Sequence, residues 1–246
     1  MGSETEVHIG DVWDAISIEK HPDLVPGVLH LWQRRLHAST AEVNTYYRLL
    51  SSEEQARARR FRVERAHNDF VLTRGTLRCL LGQYLERSPE EVRFVYAEHG
   101  KPSLERNSTI CFNVSHTEGL ALMAFIMRRT IGVDVENTKR KTETIRLAER
   151  FFSQRERDAL MGLSGEELQG AFFRCWTRKE AYIKAKGDGL ALPLHQFDVS
   201  IAANEHDALL ATRPDPAEVE RWTICDVPLG PGYAAAVAVA KYEGSN

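Results

Sequence analysis

Asp134 and Glu136 stand two residues apart in the run TIGVDVE (130–136). Strict alternation there predicts a strand, with Ile131, Val133 and Val135 on one face and Gly132, Asp134 and Glu136 on the other. At the rise of a strand the two acidic residues lie roughly 7 Å apart at their Cα atoms. Gly132 precedes them on the same face and leaves room for something bulky. Two hard oxygen ligands with space beside them suit Mg²⁺, which keeps coordination positions for phosphate oxygens and water. The same pattern also describes an acidic, solvent-facing strand edge.

A second acidic residue group lies in AFFRCWTRKEAYIKAKGDGL (171–190), which reads as one helix ended by glycines. At 100° per residue Phe173, Trp176 and Ile183 form an apolar stripe, and Glu180 falls inside it. Lys184 lies one turn further along the same edge. A carboxylate on an apolar face is costly to bury unless it is paired or binds a metal. The alternative is an i,i+4 surface pair worth a few tenths of a kcal/mol.

Three further features handle anions. Ser115-His116 closes the alternating run ICFNVSH (110–116). Neighbouring strand residues point to opposite faces, so a direct Ser–His dyad is disfavoured, and a phosphate contact by His116 or a plain turn remains. Lys101 sits on the GKP turn (100–102), as a phosphate contact or an ordinary turn lysine. QARARRFRVER (55–65) holds Arg57, Arg59, Arg60, Arg62 and Arg65, an anion site or a solvated face. Together these residues suit a magnesium-bound diphosphate.

The elements that must position them follow from pattern. Residues 1–27 show little periodicity and read as a surface extension. Val28–Leu36 reads as a strand, Thr40–Leu50 as a helix capped by Ser39 or Thr40, and 51–61 as a helix start capped by Ser51 or Ser52. A long helix is expected over 66–86, with Phe70, Leu77, Leu81 and Leu85 on its core face and Arg74 and Arg78 sharing an edge. RFVYAE (93–98), 110–116 and 120–127 read as strands, and Arg128–Thr130 as a hinge. A helix over 145–152 precedes Ser153, which forms a capping box with Glu156. LPLHQFDVSI (192–201) reads as a strand entry, 202–218 as turns, and 222–226 with 233–239 as a closing hairpin. The order is α+β rather than alternating βα.

Composition excludes several classes. The net charge is −3, so no global basic field draws the chain to nucleic acid or a membrane surface. The longest apolar runs are too short to span a bilayer. Cys79, Cys111, Cys175 and Cys225 are widely separated, without zinc spacing, and fit buried thiols in a reducing compartment. The acidic, polar beginning MGSETEVHIGDVWD lacks a signal-peptide pattern, which points to a cytoplasmic location.

In order along the chain, GKP (100–102), FNVSH (112–116), GVDVE (132–136), RFFSQRE (150–156) and WTRKEAYIKAKGDGL (176–190) resemble the motifs of the Sfp-type 4′-phosphopantetheinyl transferases. The resemblance covers roughly residues 28–240. It implies two similar α/β halves related by a pseudo-twofold, with boundaries at 28–128 and 129–246, an N-terminal extension over 1–27, and coenzyme A bound between the halves. It implies transfer of 4′-phosphopantetheine from coenzyme A to a serine of an apo acyl or peptidyl carrier protein, releasing 3′,5′-ADP, with Mg²⁺ as cofactor and a monomer as the working form.

Carried over residue by residue, the resemblance makes Asp134, Glu136 and Glu180 metal ligands. Glu180 is also the general base, and Lys184 contacts phosphate and protonates the leaving group. Asp134 and His116 join them as catalytic residues. Arg57, Lys101, Pro102, Ser115, His116, Asp134, Lys179, Glu180 and Lys184 line the coenzyme A site. Glu156 matches an acid near the metal or carrier side. Glu54 stands where some members carry a lysine, which passes the 3′-phosphate to Arg57 and to Arg60, Arg74 or Arg78. A magnesium-dependent nucleotide phosphohydrolase and a non-catalytic module binding coenzyme A or a carrier protein are the rival readings.

Overall fold

In a computed structural model, residues 6–11, 23–97, 100–105, 108–187, 192–203, 205 and 207–241 are described, the first six as backbone alone. The chain forms α+β halves, each a sheet covered on its outer face by a 22-residue helix. The first half holds β1 (Glu6–Asp11), β2 (Val28–Arg35), α1 (Thr40–Arg48), α2 (Ser52–Ala58), α3 (Glu64–Leu85), β3 (Phe94–Tyr96), β4 (Pro102–Leu104), β5 (Ile110–Thr117) and β6 (Leu120–Met127). The second holds β7 (Ile131–Asn137), α4 (Thr144–Phe151), α5 (Gln154–Met161), α6 (Gly165–Lys186), β8 (Phe197–Val199), β9 (Leu209–Thr212), α7 (Glu218–Arg221), β10 (Trp222–Asp226) and β11 (Tyr233–Ala240).

Alternation along the strands builds the layers. In β6, a continuous apolar run, Ala121, Met123 and Phe125 meet the helical layer of α3, while Leu120, Leu122, Ala124 and Ile126 meet the second sheet. In β11, Val237 and Val239 face the first sheet and Ala236 and Ala238 face α6. The small alanines let that helix lie close. The sheet orders are β1-β2-β6-β5 and β10-β11-β7. Their facing sides form one apolar layer, and at one edge β5 and β7 come side by side.

Capping follows the sequence. Ser39 caps α1, and Ser51 with Glu54 and Ser153 with Glu156 make capping boxes on α2 and α5. α6 ends at Gly187, whose φ of +80° lies in the left-handed region that favours glycine.

Several expectations change. Residues 1–27 contain β1, which pairs in parallel with β2 through Glu6↔Val28 to Asp11↔Gln33. α6 starts at Gly165, six residues before the expected Ala171. The GDGL end of its motif lies outside the described residues from Asp188 onward. Pro102 opens strand β4 rather than staying in a turn, and the segment 202–218 contains β9. Phe70 and Leu85 are only half-buried. No helix among the described residues is long and apolar enough to cross a membrane.

Candidate active site

The site forms where β7 passes under α6, and Gly132 makes that crossing possible. A Cβ at Gly132 would sit 2.1 Å from the Ala181 carbonyl oxygen and 2.3 Å from the Ala185 nitrogen. The space that the glycine opens is filled by the helix, not left for a ligand. The close approach sets Asp134, the next residue on that face, against Lys184. Asp134 Oδ1 accepts from Lys184 Nζ at 2.6 Å and from Ser115 Oγ at 2.9 Å. Lys184 Nζ also reaches Ser115 Oγ at 3.0 Å. Asp134 is 5% exposed, and its Oδ2 is buried with no hydrogen-bond partner.

Three carboxylates share this place. Burial pushes Glu180 up to about 7, with Asp134 and Glu136 adding to the rise and Lys184 opposing it. Glu136 is likewise raised, first by burial and then by Asp134, against the pull of Arg140 and Lys184. Glu136 accepts from Thr117 at 3.4 Å and pairs with Arg140 at 3.3 Å. Two raised carboxyls, Glu180 and Glu136, beside an orphan buried oxygen mark a site short of positive charge. The donor set, three carboxylates, fits a hard divalent cation. As the side chains stand, no three His, Cys, Asp or Glu among the described residues are gathered closely enough to hold a metal ion. Lys184 holds Asp134 Oδ1 in that arrangement.

His116 points away from Ser115 at the end of β5. Its side chain is exposed, yet the surrounding protein lowers its pKa by desolvation; Asp69 opposes this, while Lys184 and Arg57 add to it. Arg57 and Lys184 are therefore each within electrostatic reach of His116, as an anion site requires. Arg57 is exposed, with its guanidinium 5.2 Å over the Phe70 ring. Arg74 lies over Phe94 at 4.8 Å, and its Nη1 is buried without a hydrogen-bond partner. Asp69, Thr117 and Arg140 belong to this neighbourhood and were missed by sequence reasoning. Thr117 carried a usable signal, because it shares a strand face with Ser115.

Other expected residues are elsewhere. Lys179 is fully buried, and its Nζ meets Leu194 O at 2.8 Å, Phe197 O at 2.6 Å and Glu156 Oε1 at 2.7 Å. Glu156 accepts from Ser153 N and Val199 N. This pair binds α5, α6 and β8 together, so Glu156 stands in the core. Arg78, 2% exposed, donates to Glu54 and to the carbonyls of Pro89 and Val92. Its position is structural; Arg74 lies 3.5 Å from Glu54 Oε1 through Nε and keeps only Nη1 without a hydrogen-bond partner. Lys101 Nζ donates to Ile131 O at 3.1 Å, Lys184 O at 2.5 Å and Ala185 O at 3.2 Å. It joins the first half to β7 and α6, and burial lowers its pKa to about 8. Pro102 is half-buried beside it in β4, paired with Tyr96.

Known proteins resemble this chain in both halves. The family described as the 4'-phosphopantetheinyl transferase superfamily matches residues 130–238, and 4'-phosphopantetheinyl transferase, N-terminal, matches residues 34–127. The 4'-phosphopantetheinyl transferase HetI of Nostoc sp. is 38% identical over 222 residues, 89% of this chain and 90% of that protein. A putative 4'-phosphopantetheinyl transferase of Synechocystis sp. is 35% identical over 75% of this chain and 74% of its own length. The 4'-phosphopantetheinyl transferase Sfp of Bacillus subtilis is 28% identical over 82% of this chain and 87% of its own. With both halves matched and the site built across them, the chain belongs to the 4′-phosphopantetheinyl transferases, among the Sfp-like members.

Proposed function

We propose that this protein moves 4′-phosphopantetheine from coenzyme A to a serine hydroxyl of an apo acyl or peptidyl carrier protein, with Mg²⁺ held by Asp134, Glu136 and Glu180. The observation that carries the reading is the charge-deficient cluster: the orphan Oδ2 of Asp134 beside a Glu180 raised to about 7. When bound, Mg²⁺ supplies positive charge against a diphosphate.

The chain's own residues do the rest. A serine hydroxyl is a weak nucleophile, and a carboxylate within hydrogen-bond reach is suited to accept its proton. Glu180 takes that proton as the serine oxygen forms its bond to phosphorus. The phosphorus–oxygen bond to 3′,5′-ADP breaks, and the leaving group departs with the electron pair. Lys184 exchanges Asp134 for the phosphate and stabilises the charge that develops. His116 and Ser115 fix the phosphates in line. Arg57 and Arg74 receive the 3′-phosphate, because both are cationic and Arg74 retains an unused donor.

Arg140, Lys141, Arg146 and Arg150 line a shallow cleft together with Leu147 and with Glu143, which pairs with Arg146, and Ile145 is exposed beside it. The ion pair of Arg140 with Glu136 makes this patch continuous with the site. It is the basic and apolar rim that an acidic carrier needs. A division of the halves at 128/129 is supported by Arg128, whose φ of +54° makes a tight left-handed turn between β6 and β7. A reducing compartment such as the cytoplasm fits the half-buried Cys111 and buried Cys175, each held as a neutral thiol by burial.

The test is to mix the protein with coenzyme A, Mg²⁺ and an apo carrier, then weigh the carrier. The expected result is a gain of one phosphopantetheine. Cleavage of coenzyme A without that gain assigns a hydrolase instead, and binding without cleavage assigns a non-catalytic module.

A further inference from the structure

Asn113, Ser115 and Thr117 alternate along β5, and each side chain reaches the main chain of β7. Asn113 Oδ1 accepts from Val133 N at 2.9 Å, Ser115 Oγ from Val135 N at 3.3 Å and Thr117 Oγ1 from Asn137 N at 3.1 Å. The offset is 20 residues at each rung, so the two strands run in the same direction. β5 and β7 are edges of their two sheets. At this junction the bridge is made by side-chain oxygens. Val133 and Val135 are 0% and 1% exposed, and each amide left without its acceptor would cost about 1–3 kcal/mol.

The kind of rung tracks the residue before the amide. Val135 follows Asp134, and its rung is a hydroxyl, which accepts from the amide and donates to Asp134 Oδ1. Asn137 follows Glu136, and its rung is again a hydroxyl, which accepts from the amide and faces Glu136 Oε2. Val133 follows Gly132, which has no carboxylate, and its rung is an amide oxygen that only accepts. A hydroxyl can do both tasks at once, whereas an amide oxygen cannot donate.

We propose that Thr117 and Asn113 are positioning residues for the transfer reaction: the rungs from β5 fix β7, and the hydroxyl rungs aim Asp134 and Glu136 at one cation. Neither residue touches substrate in this account. The proposal rests on the magnesium-dependent reading of the site. Ser115 serves both as a rung and as the phosphate contact, so it is a poor probe, whereas Thr117→Val removes one rung with almost no change of shape.

The experiment is a Mn²⁺ titration by electron paramagnetic resonance with coenzyme A present and no carrier, on wild type, Thr117→Val and Thr117→Ser, with Tm and the carrier KM measured in parallel. Loss of an outer partner of a metal ligand predicts about a 10-fold weaker Mn²⁺ affinity for Thr117→Val and recovery to within about 2-fold for Thr117→Ser, with the carrier KM unchanged. In Asn113→Ala, amide hydrogen exchange at Val133 is expected to accelerate. Wild-type affinity in Thr117→Val, or a fall in Tm without a change in Mn²⁺ affinity, overturns the positioning role. Failure of the wild type itself to bind Mn²⁺ overturns the metal-dependent reading and this proposal with it.

Discussion

Two of the three lysines of α6, Lys179 and Lys184, stand five residues apart, each against a carboxylate, and these two pairs are finished to different degrees. Lys179 is fully buried with three oxygen partners, and Glu156 uses both oxygens on Lys179, Ser153 and Val199. Lys184 is 31% exposed, and Asp134 keeps one buried oxygen with no partner. Glu180, beside the second pair, is pushed up to about 7. A satisfied buried network rigidifies a fold, whereas an unsatisfied one holds free energy available to a ligand. Chemistry belongs to the pair left incomplete.

The widest separation between the pairs is expected from Asp134→Asn and Lys179→Met. Asp134→Asn should lower kcat/KM for carrier modification by about 10³-fold, near 4 kcal/mol in transition-state binding, and leave Tm within a few degrees of wild type. Lys179→Met leaves the Glu156 charge buried and uncompensated, so it should cost about 3–5 kcal/mol in denaturant unfolding. The kcat of its folded fraction should stay near wild type. A Lys179→Met protein of normal stability that has lost its coenzyme A affinity would return Lys179 to the binding site.

Gly132→Ala attacks the crossing itself. Its Cβ meets backbone rather than a flexible side-chain end, so β7 or α6 must shift. A loss of about 1–3 kcal/mol is expected, together with weaker metal-dependent activity. Unchanged stability and activity would place the helix–strand approach elsewhere.

Glu180→Gln gives a small stability change that carries a pH signature. The folded state raises the Glu180 pKa from 4.5 to about 7, so it disfavours the charged form. That penalty is absent below the unfolded pKa, grows as pH rises, and is complete above about 7. In metal-free protein, Glu180→Gln should therefore stabilise by about 1–2 kcal/mol at pH 8 and by little at pH 4.5, while abolishing transfer. A Tm difference that is flat between these pH values would contradict the account.

The sequence makes the strand face of Asp134 and Glu136 legible because period two is strict there, and the apolar setting of Glu180 legible because the wheel puts it within a stripe. It does not separate Lys179 from Lys184 by motif alone: both lie in WTRKEAYIKAK, and their roles depend on which layer lies above each. Lys179 points to β8, an element 18 residues further along at Phe197. Glu156 was hidden for the same reason, since its second oxygen serves Val199, 43 residues away. Gly132 was read as space for a ligand because the sequence does not say which helix crosses it. β1 escaped notice because only Val7 and Ile9 alternate in a six-residue strand. Lys101, on a turn in the sequence, is drawn into the interior by the carbonyls at the end of α6 and the start of β7.

The most direct measurement weighs an apo carrier after incubation with coenzyme A, Mg²⁺ and equal folded concentrations of wild type, Lys179→Met and Glu180→Gln. The account predicts one added phosphopantetheine with wild type and Lys179→Met and none with Glu180→Gln. Modification by Glu180→Gln at the wild-type rate, or its absence with folded Lys179→Met, would contradict the assignment of chemistry to the incomplete pair.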